Sequence, residues 1–109
     1  MAQDRKRLLI VDDTKIDRIV LKSILNNDFE VLEASSGNMA FEYITTRKDQ
    51  LDVILLDLSM PHIDGFDVVK FMKEKGRDDI PVFIVTAEPT RDNVERALQY
   101  NVGEFIGKP

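Results

Sequence analysis

The sequence contains no cysteine, which excludes a disulfide scaffold, a thiolate zinc site and a cysteine nucleophile. Long apolar runs are missing too: stretches such as Val53-Ile54-Leu55-Leu56 are far too short to span a bilayer. The polar opening, Met1 to Arg7, offers no apolar stretch of signal-peptide length, so a soluble, cytoplasmic chain without membrane contact is expected. An excess of positive charge is also absent. Twenty acidic and 15 basic residues give a net charge of −5, which argues against nucleic-acid binding by this domain, because duplex affinity is mostly cationic. Arg5-Lys6-Arg7 reads as a solvated flank before a buried strand rather than as a phosphate-binding arm. No repeat, low-complexity stretch or linker divides the 109 residues, a length that suits one domain. With 43% hydrophobic and 32% charged residues the chain is expected to be globular rather than disordered.

Short apolar runs alternate with longer amphipathic segments. Leu8 to Val11 is continuously apolar, as a strand covered on both faces should be. Asp12 and Asp13 follow, then Thr14 as N-cap of a helix whose apolar stripe is read as Ile16, Ile19, Val20, Ile24 and Leu25. Phe29 to Ala34 reads as a second strand, Ser35 to Asn38 as a turn and cap, and Met39, Ala40, Tyr43 and Ile44 as a short helix. Val53 to Leu58 is the most hydrophobic strand and is interrupted only by Asp57. Ser59 to Gly65 reads as a loop, broken by Pro61 and Gly65, and leads to a helix that stops at Gly76. Val82 to Val85 forms a fourth strand ended by Thr86. Thr90 caps a helix carrying Val94, Ala97 and Leu98, which runs out at Asn101 or Gly103, and Glu104 to Ile106 forms a weak fifth strand.

Strict β-α alternation with short loops predicts a parallel sheet with helices on both faces. Right-handed crossovers leave few topologies, and the flavodoxin-like α/β order 2-1-3-4-5 is expected for five strands. The turn after the first strand, Asp-Asp-Thr-Lys, has no glycine to admit a pyrophosphate, and no Walker A sequence occurs, so nucleotide-binding sites of both kinds are excluded.

In such a sheet ligands bind beyond the carboxyl ends of the strands, where strand order reverses. The strand ends here carry Asp12 and Asp13, Asp57, Thr86 and Lys108. Taken singly, most have plain structural uses: Asp12 or Asp13 as a cap, Thr86 as a strand terminus, Lys108 as a solvated charge. Asp57 is harder to explain that way, since an unpaired charge in an apolar strand costs several kcal/mol. Three clustered carboxylates repel one another, and a hard divalent cation relieves them; oxygen ligands point to Mg²⁺ or Mn²⁺ rather than zinc. A cation, the Lys108 ammonium and the Thr86 hydroxyl together suit a phosphoryl group, with Asp57 as the carboxylate that accepts it.

The chain resembles a receiver domain of a two-component response regulator, from about Arg7 to Pro109. The resemblance is carried by Val11-Asp12-Asp13, by Leu56-Asp57-Leu58-Ser59-Met60-Pro61-His62-Ile63-Asp64-Gly65, by Val85-Thr86-Ala87 and by Lys108-Pro109. It implies a phosphorelay signalling domain rather than an enzyme with an outside substrate. Asp57 would take a phosphoryl group from a histidine of a sensor histidine kinase or a histidine phosphotransfer domain. Asp12, Asp13, Asp57 and the backbone carbonyl of Ser59 would hold Mg²⁺, and Lys108 would pair with the acceptor and then with its phosphate. A cis Lys108-Pro109 bond would aim the lysine inward. Thr86 and the aromatic Phe105 would form the switch that reports to an output domain or target protein. Phe105 lacks the phenolic hydroxyl found at this place in the family. Ser59 and Glu88 would flank the path of the water that removes the phosphoryl group. His62 receives no role.

The resemblance also implies a fifth helix after the Lys-Pro loop, which is absent up to Pro109. The chain is therefore expected to continue through that helix, into an output domain, or to pair as a homodimer that covers the exposed sheet face. Two other readings compete. A haloacid dehalogenase-type phosphohydrolase also forms an aspartyl phosphate, but its paired acids stand two residues apart after the first strand. An inert receiver-like interaction module would lack at least one of the five site positions, and none is missing here.

Overall fold

The computed structural model describes residues 5–46, 51–58, 60–77, 79–87, 90–100 and 104–108. Within them β1 (Lys6–Val11), β2 (Phe29–Ala34), β3 (Val53–Leu56), β4 (Val82–Thr86) and β5 (Glu104–Gly107) alternate with α1 (Lys15–Leu25), α2 (Gly37–Thr46), α3 (Gly65–Glu74) and α4 (Arg91–Gln99). The strands form one parallel sheet in the order β2-β1-β3-β4-β5, as expected.

Side chains alternate across a strand, so a continuous apolar run feeds two layers at once. Leu9, Val11, Ile54, Leu56 and Ile84 point to one side, where they meet Ala40 and Ile44 of α2, Phe66, Val69 and Met72 of α3, and Ala97 of α4. Leu8, Ile10, Leu55 and Val85 point to the other, where Leu21 and Leu25 of α1 and the strand residues Phe29, Val31, Val53 and Phe83 join them. On the first side the Phe66 ring stacks on Tyr100 (centroids 5.5 Å apart) and lies under the Arg96 guanidinium, which ties α4 to the start of α3.

Of the stripe expected on α1 only Leu25 packs on the sheet. Ile16 and Ile24 are 70% and 60% exposed, Ile19 and Val20 are also exposed, and Leu21 and Leu25 make the sheet contacts. This helix is apolar around more than half its circumference. Its rotation is set by the sheet and by Arg18 and Lys22 reaching Glu33 of β2, and periodicity alone does not determine it. Beside α1 the sheet stays open: a groove of about 630 Å³ lined by Leu8, Leu21, Leu25, Phe29, Phe83 and Val85 is covered by no helix among the described residues.

Other boundaries differ from the sequence reading: β1 begins at Lys6 rather than Leu8, so Lys6 and Arg7 pair with β2 instead of flanking the strand, and α2 begins at Gly37 inside the expected turn. β3 stops at Leu56, so Asp57 and Leu58 lie just past the strand, although the Asp57 N–H still bonds the Val11 carbonyl at 2.9 Å. Gly65 opens α3 rather than closing the loop before it, because Asp64 and Asp67 cap that helix reciprocally, at 2.9 and 3.0 Å. α4 ends at Gln99, and residues 101–103, where it was expected to run out, lie outside the described ones. Gly76, with φ +69°, terminates α3 in the left-handed conformation that glycine adopts without penalty.

Candidate phosphoacceptor site

Asp12 leaves the end of β1 and is pinned by its own backbone. Its N–H donates to the Ala34 carbonyl (3.0 Å), and its carbonyl accepts from Arg18 Nη1 (2.6 Å). Arg18 in turn donates to Glu33 on β2 (3.1 Å), so α1, β1 and β2 all meet at this turn. Thr14 occupies the N-cap position of α1 as expected, but its side chain makes no capping bond. The Asp12 carboxylate instead accepts the Thr14 N–H at 2.9 Å, which leaves its second oxygen, Oδ2, facing the crevice.

Asp12 and Asp57 are buried, 1% and 4% exposed, whereas Asp13 stands in solvent at the rim. One oxygen from each of the three carboxylates lies within 4.8 Å of the others. Thr86, wholly buried, ends β4 beside them, and its carbonyl accepts the Lys108 N–H at 2.7 Å. That bond carries the lysine from the far edge of the sheet back over the site. Its ammonium stands 2.8 Å from Asp12 Oδ2, 3.6 Å from Asp57 Oδ2 and 2.6 Å from Asp17 Oδ2. Burial pulls the Lys108 pKa down, but pairing with the carboxylates of Asp12 and Asp17, with the charge of Asp57, outweighs it and holds the group above its ordinary 10.5.

The Asp57 backbone is also fitted closely. A Cβ on Gly65 would lie 2.5 Å from the Asp57 carbonyl oxygen, so only glycine lets α3 start directly against the loop that follows β3. On the opposite side of that loop Gly37 gives way to Ile63.

The structure thus brings together Asp12, Asp13, Asp57, Thr86 and Lys108. Phe105 pairs with Ile84 in the β4–β5 ladder, and its side chain lies outside what is described. Ser59, Glu88 and Pro109, with the expected cis bond, lie outside the described residues. Sequence reasoning missed Asp17. The available signal was an acid in the first turn of the helix that rises from the site, but its 91-residue separation from Lys108 conceals the contact.

The donors fit a hard divalent cation. All are carboxylate oxygens, and the buried Asp12 Oδ2 is held by an ion pair with the Lys108 ammonium at 2.8 Å rather than by a directed hydrogen bond from the described residues. One ammonium offsets only part of the mutual repulsion of three carboxylates, and a divalent cation would relieve the rest.

Residues 8–109 match the family model of the response regulator receiver domain. The chain is 35% identical over 106 residues to a chemotaxis protein CheY homolog of Campylobacter jejuni, a match that covers 94% of this chain and 81% of that protein. Among solved structures it is similar to a chain of the CheX-CheY-BeF3-Mg²⁺ complex from Borrelia burgdorferi, with TM-score 0.88, 25% identity, and coverage of 95% of this chain and 78% of that one. It is also similar to the Mn²⁺-bound form of response regulator Rcp1, with TM-score 0.84, 26% identity, and coverage of 95% and 81%.

Proposed function

The chain belongs to the response regulator receiver family, signalling modules rather than classical enzymes, and from that premise we propose that Asp57 takes a phosphoryl group from a phosphohistidine. The donor is a sensor histidine kinase or a histidine phosphotransfer domain. Loading Asp57 changes the surface around α4 and β5, which controls an output domain or target protein. The setting is cytoplasmic, without direct contact to nucleic acid or membrane. The observation that carries this reading is one buried carboxylate, Asp57, with two further carboxylates within 4.8 Å and a lysine ammonium 3.6 Å away.

In the proposed transfer an Asp57 oxygen attacks phosphorus, forming an O–P bond while the P–N bond to the donor imidazole breaks and its electron pair returns to the ring. No proton has to leave the acceptor, since it reacts as a carboxylate. Asp12, Asp13, Asp57 and the Ser59 carbonyl would hold Mg²⁺, with Mn²⁺ as substitute; bound there, the ion supplies positive charge to the phosphoryl oxygens. The similar Borrelia complex with Mg²⁺ and the Mn²⁺-bound form of Rcp1 support this choice. Lys108 provides the second positive charge, and the Thr86 hydroxyl hydrogen-bonds a phosphoryl oxygen. In drawing toward it, Thr86 pulls on the loop after β4, and Phe105 on β5 follows. Ser59 and Glu88 flank the water that later hydrolyses the acyl phosphate.

Acetyl phosphate with Mg²⁺, read by intact mass, tests the assignment. The parent gains one phosphoryl group and Asp57→Asn gains none. Normal labelling of the variant overturns the reading.

A further inference from the structure

We propose that Asp17, on the first turn of α1, is a positioning residue that holds Lys108 away from Asp57 and so restrains loading of the acceptor. The proposal rests on Asp57 being the phosphoryl acceptor and deepens that reading by giving the site a built-in brake.

The geometry points this way because the lysine has three N–H groups and an unequal set of partners. Its shortest contact is to Asp17, at 2.6 Å; Asp12 follows at 2.8 Å, and Asp57, the group it would assist, is most distant at 3.6 Å. Its two shortest contacts therefore lie toward α1 and β1 rather than toward the acceptor. Asp12 is not free to release the lysine, since its side chain is 2% exposed and its other oxygen is committed to Thr14. Asp17 differs. Its carboxylate is 36% exposed, so water can replace the ammonium at low cost when the lysine leaves. Water has access there: Asp17, Val20, Leu21 and Lys108 line a hollow of about 90 Å³ on the α1 side of the ammonium.

The order of events follows from charge. As the O–P bond to Asp57 forms and the bond to the leaving group breaks, negative charge on the phosphoryl oxygens attracts the ammonium. Whatever Asp17 contributes to holding Lys108 before that moment must be given up to reach the transition state, so it raises the barrier. Removing the Asp17 charge speeds loading by about fivefold, the rate equivalent of one half-exposed ion pair.

The test times phosphorylation of the whole chain by acetyl phosphate at saturating Mg²⁺, using intact mass. Asp17→Asn loads about fivefold faster than the parent, and Asp17→Glu, which keeps the charge, stays near the parent rate. In a Lys108→Ala background, read over hours, Asp17→Asn changes nothing, because the residue acts only through the lysine. If Lys108→Ala takes up no phosphoryl group at all, the lysine is indispensable, and the Asn acceleration with Glu rescue supports the proposal. Asp17→Ser serves in place of Asn if melting curves show that the amide variant misfolds. An unchanged or slower rate in folded Asp17→Asn overturns the proposal, as does equal acceleration without Lys108, which would mean a direct field effect on the donor. Both results leave Asp57 as acceptor intact. A parent that gains no phosphoryl group removes that reading and this one with it.

Discussion

Replacing Gly65 by alanine sets two effects of opposite sign against each other in one residue. Alanine favours a helical position over glycine by up to about 1 kcal/mol. Against this, the new methyl would lie 2.5 Å from the Asp57 carbonyl oxygen, 3.0 Å from Leu58 Cδ2 and 3.1 Å from Leu58 Cα. Two of those neighbours are backbone atoms, and the backbone there is tied down: the Asp57 N–H bonds Val11, and the Leu58 carbonyl accepts from Gly65 itself. Neither can turn aside as the tip of a side chain would. Overpacking a fitted site costs about 1–3 kcal/mol, and contact with fixed backbone belongs at the upper end. The steric term wins, for a net loss of about 2 kcal/mol. At about 4–8 °C per kcal/mol for a domain of this size, the melting temperature falls by roughly 10 °C. The same push moves the acceptor carbonyl, so acetyl phosphate labelling of Asp57 slows as well. Gly76→Ala is the control: apart from its chain neighbours, none of the described residues comes within 4 Å of a Cβ placed there, its φ of +69° costs about 1–2 kcal/mol, and labelling of the folded protein keeps the parent rate. A Gly65→Ala protein that melts with the parent and labels at its rate would refute the close seating of α3 on the acceptor loop.

Mg²⁺ should relieve the three carboxylates, so at a concentration of 100 times Kd it is expected to stabilise the chain by about 2.7 kcal/mol and to raise the melting temperature by roughly 10–20 °C, a gain that Asp13→Ala largely removes; a parent melt unmoved by saturating Mg²⁺ excludes the metal site. Lys108 has a folded-state pKa raised above 10.5, so its ion pairs contribute fully below that pH and lose their contribution only as pH rises through the higher folded value. The melting-temperature difference between the parent and Lys108→Ala should therefore be constant from pH 7 to 10 and shrink beyond, whereas a decline between pH 8 and 10 contradicts the pairing. Glu88→Ala should lengthen the lifetime of the phosphoryl group by about tenfold or less, below the effect of a full general base, as measured by decay of the labelled mass after donor removal. Equal decay in the two proteins would take Glu88 out of the hydrolytic path.

Much of the site could be read before any fold was seen, for a local reason. A parallel sheet delivers the residue after each strand to one edge, so finding the strands is enough to bring Asp12, Asp57, Thr86 and Lys108 into one crevice. The strands themselves announce their positions, because runs buried on both faces must be continuously apolar, as Leu8 to Val11 is. Caps and stops are similarly local: Thr90 accepts from the Asn93 N–H, and Gly76 takes the positive φ that ends α3.

The tertiary structure decided what depends on rotation and distance. The sequence of α1 offers apolar residues on several sides, and only packing against β1 and the reach of Arg18 and Lys22 to Glu33 select Leu21 and Leu25 for the sheet. That same rotation aims Asp17 at an ammonium 91 residues away. Composition and strand order already implied that Lys108 would find carboxylates. Which carboxylate holds it most closely depends on helix orientation and sheet register, and these are settled by many weak contacts acting together rather than by any short stretch of sequence.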